Sequence, residues 1–199
     1  LAYVRETYPP RMRILDISNP AAPILVGHFD PFNGDYLWFA QAFGYAITDT
    51  IGYFKSVSEL KLFDLSDFGN PILMTTFDDL PIGKFEVQGH YLYSTVANDD
   101  YAPLNVFDIS EPSAPEIVGS WGSNERLGSG LILNGDVAYL IEDSRYLVKL
   151  DLRDPISPKE IGRYDVGYDF RINAWDGDML IVDSRNYSDN IFDIIDFST

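Results

Sequence analysis

An all-β fold of short antiparallel strands is predicted by three features of this sequence. Five stretches built around one aspartate recur at a nearly constant interval. Between them, short runs rich in Val, Ile, Leu, Tyr and Phe alternate with turn residues, the pattern of strands and hairpins. No segment combines a helical apolar period with helix caps.

The five stretches are RILDISNPAAPILVG from Arg13, KLFDLSDFGNPILMT from Lys61, NVFDISEPSAPEIVG from Asn105, VKLDLRDPISPKEIG from Val148 and the shorter FDIIDFST from Phe192. They align Asp16, Asp64, Asp108, Asp151 and Asp196, separated by 48, 44, 43 and 45 residues. Pro23, Pro71, Pro115 and Pro158 each follow their aspartate by seven residues. A second marker keeps the same beat: Phe43-Gly44, Gln88-Gly89-His90, Asn134-Gly135-Asp136 and Asp176-Gly177-Asp178. A strand-rich unit of about 40–50 residues is the signature of a β-propeller with four strands per blade.

The unit around Asp151 shows the four strands in order. Gly130 to Asn134 is a short apolar strand a, and Asn134-Gly135-Asp136 is a tight hairpin turn, since glycine supplies the positive φ such turns need. Val137 to Ile141 is strand b, Tyr146 to Leu152 strand c and Lys159 to Tyr164 strand d. Pro155 and Pro158 fall in the c–d turn, where a missing N–H does no harm. Residues two apart on a strand share a face, so Leu15, Ile17, Phe63, Leu65, Phe107, Ile109, Leu150 and Leu152 are the expected core.

The units run over about 1–29, 30–77, 78–121, 122–164 and 165–199. The chain opens on residues 2–5, which match strand b, and closes on 191–197, which match strand c, so the first unit lacks strand a and the last lacks strand d. A propeller closes to remove its sheet edges. The expectation is a piece of a larger ring, completed by further blades from the same or another chain. The alternatives are a five-bladed ring with two three-stranded blades, or an irregular four-bladed closure. The first residue is Leu1 rather than Met, so a preceding segment is expected.

These units resemble the LVIVD repeat family. The family pattern runs Ala-Tyr-Val-Ala-Asp, a short loop, then Leu-x-Val-Ile-Asp-Ile-Ser-x-Pro-x-x-Pro-x-x-Val-Gly. Arg13 to Gly27 and Asn105 to Gly119 match it best, and Val137 to Glu142 and Met179 to Asp183 resemble its first strand. Phe68 in place of the first proline, Thr75 in place of the glycine and an apparent insert over 51–59 depart from it. The resemblance implies a propeller of an extracellular or cell-surface protein, with no catalytic residue to carry over.

Composition narrows the function further. The chain has 14 basic and 31 acidic residues among 199, a net charge of −17. Nucleic-acid binding rests on Lys and Arg neutralising phosphates, so a nucleic-acid partner is excluded, and an anionic membrane surface is disfavoured likewise. No apolar run approaches the roughly 20 residues of a membrane helix, so membrane insertion is not expected. There is no cysteine, which removes disulfides, thiolate metal sites and cysteine nucleophiles. His28 and His90 are the only histidines and stand in different units, each expected to serve packing or a turn.

The repeated aspartate could suggest a ring of carboxylates. One aspartate per unit, two residues before a Ser or Arg and a proline turn, is better explained by a carboxylate accepting a nearby backbone N–H. The candidate ligand face is the end of strand b and the following b–c loop. It holds Glu6, Asp49, Glu142 and Asp183, with Asp99 beside the irregular third unit. Aromatic residues of exposed type accompany them: Tyr8, Tyr53, Phe54, Tyr101 and Tyr187. The b–c loops vary in length while the c–d turns do not, and binding surfaces on repeat scaffolds are built where length varies. Carboxylates with aromatics suit a glycan, a protein ligand presenting a cationic peptide, or Ca²⁺, which prefers oxygen ligands. The expected function is a non-enzymatic interaction module of a surface or secreted protein. The alternative is a glycan-active enzyme using a carboxylate pair from the b–c loops.

Overall fold

The computed structural model describes residues 1–7, 10–32, 44–56, 59–78, 80–95, 103–123, 128–167, 170–176, 179–186 and 189–196. Its strands form five antiparallel sheets, and among the described residues there is no helix. They fall into two compact units, Leu1–Leu80 and Pro81–Thr199.

In the first unit, sheet 1 joins β1 (Ala2–Thr7), β2 (Pro10–Asp16) and β3 (Ile24–Phe29). Sheet 2 joins β4 (Gly44–Thr48), β5 (Ile51–Lys55), β6 (Glu59–Asp64) and β7 (Ile72–Asp78). In the second unit, sheet 3 holds β8 (Phe85–Gln88), β9 (Tyr91–Thr95), β10 (Leu104–Asp108) and β11 (Glu116–Trp121). Sheet 4 holds β12 (Gly128–Asn134), β13 (Val137–Glu142), β14 (Tyr146–Asp151) and β15 (Lys159–Asp165). Sheet 5 holds β16 (Phe170–Asp176), β17 (Met179–Asn186) and β18 (Asp189–Asp196). Strands pair with their chain neighbours throughout, so each sheet is an up-and-down meander of the kind that builds propeller blades. The first sheet lacks a strand a and the last lacks a strand d, as the sequence predicts.

Within each unit the core lies between successive sheets. In the second unit one cluster joins Tyr93, Leu104 and Val106 of sheet 3 to Leu131, Leu140 and Leu150 of sheet 4. A second joins Tyr139, Ile141 and Leu147, on the other face of sheet 4, to Ile172 and Leu180 of sheet 5. In the first unit Met12 packs with Phe54, Phe63 and Leu65, and Phe29 meets Phe54 edge-on with ring centroids 5.2 Å apart. Strands b and c are largely buried in sheets 2 to 4. Strand d, at the sheet edge, keeps its apolar residues exposed: Ile72, Leu73 and Met74 in sheet 2, Ile117 and Val118 in sheet 3. Six of the eight residues expected in the core are buried. Leu15 is half-buried and Ile17 is exposed; both stand on the face of sheet 1 turned away from sheet 2.

The repeated aspartate is a structural device. The N–H two residues on donates to Oδ1 of Asp16, Asp64 and Asp108 at 2.8 Å and of Asp151 at 2.9 Å. These bonds hold all four carboxyls below the usual range, and the Arg153 guanidinium takes Asp151 down to about 2. One further bond of the turn repeats four times, from Ala22 to Asn19, Asn70 to Asp67, Ala114 to Glu111 and Ser157 to Asp154. The glycine of strand d has an equally concrete cause. A methyl group on Gly27 would lie 2.2 Å from the carbonyl oxygen of Phe68, and one on Gly119 would lie 2.3 Å from that of Ile156. The c–d turn of the following sheet presses on strand d at that point.

Sheet 2 departs from the sequence reading. The strand assigned as b, Tyr45 to Asp49, is strand a (β4), and residues 51–55, taken for a long loop, form β5. The turn between them contains Asp49 at φ 49°, matching Gly89 at 58° and Gly135 at 55°. Aspartate tolerates the left-handed region better than most residues, so this turn carries no glycine, and Gly44 stands at the start of β4 instead.

Candidate functional site

Antiparallel alternation puts the a–b and c–d turns at one end of every sheet and the b–c and d–a connections at the other. The c–d end is nearly the same in four sheets. The b–c end differs, and in each unit the buried polar side chains gather there. In the first unit Lys55, only 4% exposed, donates through Nζ to the Ser56 carbonyl at 2.6 Å. In the second, Ser94 accepts from the Gly83 N–H at 3.1 Å, and the Thr95 hydroxyl donates to the Lys84 carbonyl at 3.2 Å. Glu142, 1% exposed, closes strand b of sheet 4.

Glu142 is the centre of the best-formed arrangement. The β13–β14 hairpin turns through Asp143 (φ 52°) and Ser144 (φ 54°), closed by the Arg145 N–H donating to the Glu142 carbonyl at 3.1 Å. Two successive positive-φ residues are the hairpin type that suits strand twist. On the neighbouring strand β15, Arg163 donates through Nη1 to Glu142 Oε2 and through Nε and Nη2 to the two Glu160 oxygens, both at 2.9 Å. Its guanidinium lies 5.4 Å from the ring centroid of Tyr146 and 5.9 Å from that of Trp121, which ends strand d of sheet 3. These contacts with Glu160 and Glu142 push the Arg163 pKa up. Beside it Arg145 holds Asp165 at 3.0 and 2.5 Å and lies 5.1 Å from the Tyr146 ring. Trp121 and Tyr146 are half-buried, packed at the edge of the core between sheets 3 and 4.

Aligning the sheets on their turn aspartates puts Glu6 at the position of Glu142. It too is taken by arginine: Arg11 Nε and Arg13 Nε (3.0 Å) donate to Oε2, and Arg13 Nη2 donates to Oε1 at 2.7 Å. The Arg11 and Arg13 contacts hold the Glu6 carboxyl below its usual range. Guanidinium groups thus neutralise the Glu6 carboxylate. Ser56 and Ser184 occupy this position in sheets 2 and 5. Asp183 stands one residue earlier, in the register of Ile141.

The structure corrects three members of the expected face. Asp49 lies in an a–b turn, at the opposite end of its sheet from a strand-b terminus. Tyr53 is 2% exposed and Phe54 is fully buried, the latter packed with Met12, Phe63 and Leu65. Burial also raises the Tyr53 phenol pKa. Asp99, Tyr8, Tyr101 and Tyr187 lie outside the described residues. The longest b–c connection is the one from Thr95 to Leu104, in sheet 3, rather than in sheet 2. Sequence reasoning missed Arg163 and Trp121. Both lie on outer strands, and only the strand register together with the stacking of sheets 3 and 4 brings them together. Among the described residues no three Asp, Glu or His side chains form a group able to hold a metal ion.

The LVIVD repeat family matches residues 11–31 and 84–122, which include the turn aspartates Asp16 and Asp108 and the close-packed Gly27 and Gly119. No curated protein matches the chain significantly. Among solved structures the fold is similar to that of the computationally designed Ika4 protein, with TM-score 0.58 and 10% identity over 80% of this chain and 93% of that one. It is also similar to the computationally designed Ika8 protein, with TM-score 0.55 and 9% identity over 79% of this chain and 46% of that one. A similar set of sheets thus makes up nearly all of one chain and less than half of another.

Proposed function

Starting from these LVIVD repeats, we propose that the chain is a non-enzymatic β-propeller interaction module, part of a larger ring, that takes a glycan or protein ligand at the b–c end of its blades. An extracellular or cell-surface setting belongs to the same proposal. The observation that carries it is the group at the junction of sheets 3 and 4, where Trp121 and Tyr146 flank the Arg163 guanidinium. Half-buried aromatic rings with fixed polar neighbours are what a sugar ring or an extended peptide docks on, because one surface offers both apolar contact and hydrogen bonds. The ion pairs hold the arginines in place, so little order remains to be imposed on binding. Pairing with arginine also argues against the glycan-cleaving alternative. Glu6 and Glu142 are both held by guanidinium groups, and those of Arg11 and Arg13 keep the Glu6 carboxyl below its usual range, away from the proton exchange a general acid needs.

The test is binding to immobilised chitohexaose, chitosan hexamer and an oligolysine peptide, with wild-type chain, Trp121→Ala, and Ile117→Ala on the outer strand of the same sheet. Binding of at least one probe is expected, lowered about tenfold or more by Trp121→Ala, the loss of one aromatic anchor. It should be unchanged by Ile117→Ala. Equal loss in both variants would remove the site assignment, and no binding to any probe would remove the ligand class.

A further inference from the structure

Sheet 4 shows what normally covers the two faces of such a sheet. One face carries Leu140 (0% exposed) and Leu152 (3%), sealed against sheet 3; the other carries Tyr139 (4%) and Ile141 (2%), sealed against sheet 5. The strand register places Val4 and Ile17 of sheet 1 where Leu140 and Leu152 stand in sheet 4. Yet Val4 is 43% and Ile17 40% exposed. At the other end of the chain, Leu180 and Ile195 face sheet 4, so Met179 and Ile194 point away from it. They are 47% and 67% exposed. Sheets 1 and 5 therefore each present an apolar face whose counterpart elsewhere in the chain is covered.

We propose that these two faces bind each other between copies of this chain, sheet 5 of one copy stacking head to tail on sheet 1 of the next. The occupant is a second copy because the two faces are complementary by repetition. A face of the sheet 5 type meets one of the sheet 1 type between sheets 1 and 2, 3 and 4, and 4 and 5. Among the described residues of each unit two faces of the sheet 1 type do not meet, so a symmetric pairing of like faces has no precedent there. A head-to-tail contact is heterologous; it closes into a ring or propagates, according to the rotation it imposes. Net charge opposes it, since each copy carries −17. Added salt should therefore strengthen the association by screening. This inference does not depend on the ligand reading, because none of the four exposed residues belongs to the Trp121 site.

Sedimentation equilibrium separates the outcomes. Wild-type chain should show a mass that rises with concentration above the 22.5 kDa of one copy. Ile17→Glu and Ile194→Glu, each with one face blocked, should both stay at 22.5 kDa. Mixed in equal amounts they should form a 1:1 dimer, since each still offers the face the other needs. Far-UV circular dichroism checks folding, and Ile17→Thr and Ile194→Thr replace either glutamate variant that fails it. Three results would overturn the proposal: a wild-type chain that stays monomeric up to about 100 μM, weaker than a specific contact needs; one blocked variant that still dimerises alone; or a mixture that does not associate.

Discussion

Gly119→Ala tests the account of how successive sheets meet. The added methyl would sit 2.3 Å from the Ile156 carbonyl oxygen and 2.8 Å from its carbon. Carbon–oxygen contacts of this kind ordinarily lie near 3.3–3.6 Å, so about 1 Å of movement is required. The obstacle is backbone, in a c–d turn fixed by the Ser157 to Asp154 bond at 3.1 Å and by the Asp151 carboxylate. Overpacking of this sort costs roughly 1–3 kcal/mol. Against that, alanine is about 0.5–1 kcal/mol better than glycine inside a strand. A rigid obstacle puts the net loss near 2 kcal/mol. With a urea slope of about 2 kcal/mol/M, the unfolding midpoint should fall by about 1 M. Gly162 holds the same place in sheet 4, but a methyl there would meet only movable side chains, Tyr164 at 3.3 Å and Lys149 at 3.5 Å. Gly162→Ala should shift the midpoint by less than about 0.3 M, consistent with the ±0.5 kcal/mol of ordinary surface changes. Equal shifts in the two variants would refute the close-approach explanation, and with it the stated reason that the repeat ends in glycine.

Three further outcomes follow from the same structure. Leu140→Ala should cost roughly 2–5 kcal/mol in urea unfolding, whereas Val4→Ala, at the equivalent register position, should cost under about 0.5 kcal/mol at dilutions where copies do not associate. Arg163→Ala leaves the buried Glu142 short of its guanidinium and should destabilise by at most about 3–5 kcal/mol, reduced by the solvent that reaches Arg163; adding Glu142→Leu should restore part of the loss. Asp151 has a folded pKa of about 2, lowered from the ordinary value, so its contribution is present above about pH 4 and fades as pH falls toward 2. Thermal unfolding of Asp151→Ala should accordingly lose less on going from pH 5 to pH 2 than wild type.

Much of the fold was legible because each unit solves the same local problem. An aspartate that caps a turn two residues on, and prolines that cannot enter a ladder, leave their mark wherever the turn recurs. Legibility ended where a different residue solved the problem. Asp49 takes a left-handed turn that glycine takes in sheets 3 and 4, and one shifted landmark misplaced a whole strand and put Tyr53 on the surface. It also ended at exposure. Sequence periodicity assigns Ile17 and Leu152 to the same face, but whether another sheet covers that face is not written in either stretch. The site was half legible. Glu142 stood out as an acid closing a strand. Its partners Arg163 and Trp121 belong to outer strands of two different sheets, and only register and stacking bring them together.

Hydrogen exchange of the second unit, with and without saturating chitohexaose or chitosan hexamer, tests the ligand face most directly. The account predicts slowed exchange over residues 143–146 and 121–123, with the c–d turns at 110–115 and 153–158 unchanged. Protection confined to the c–d turns, or spread evenly over both ends, would contradict it.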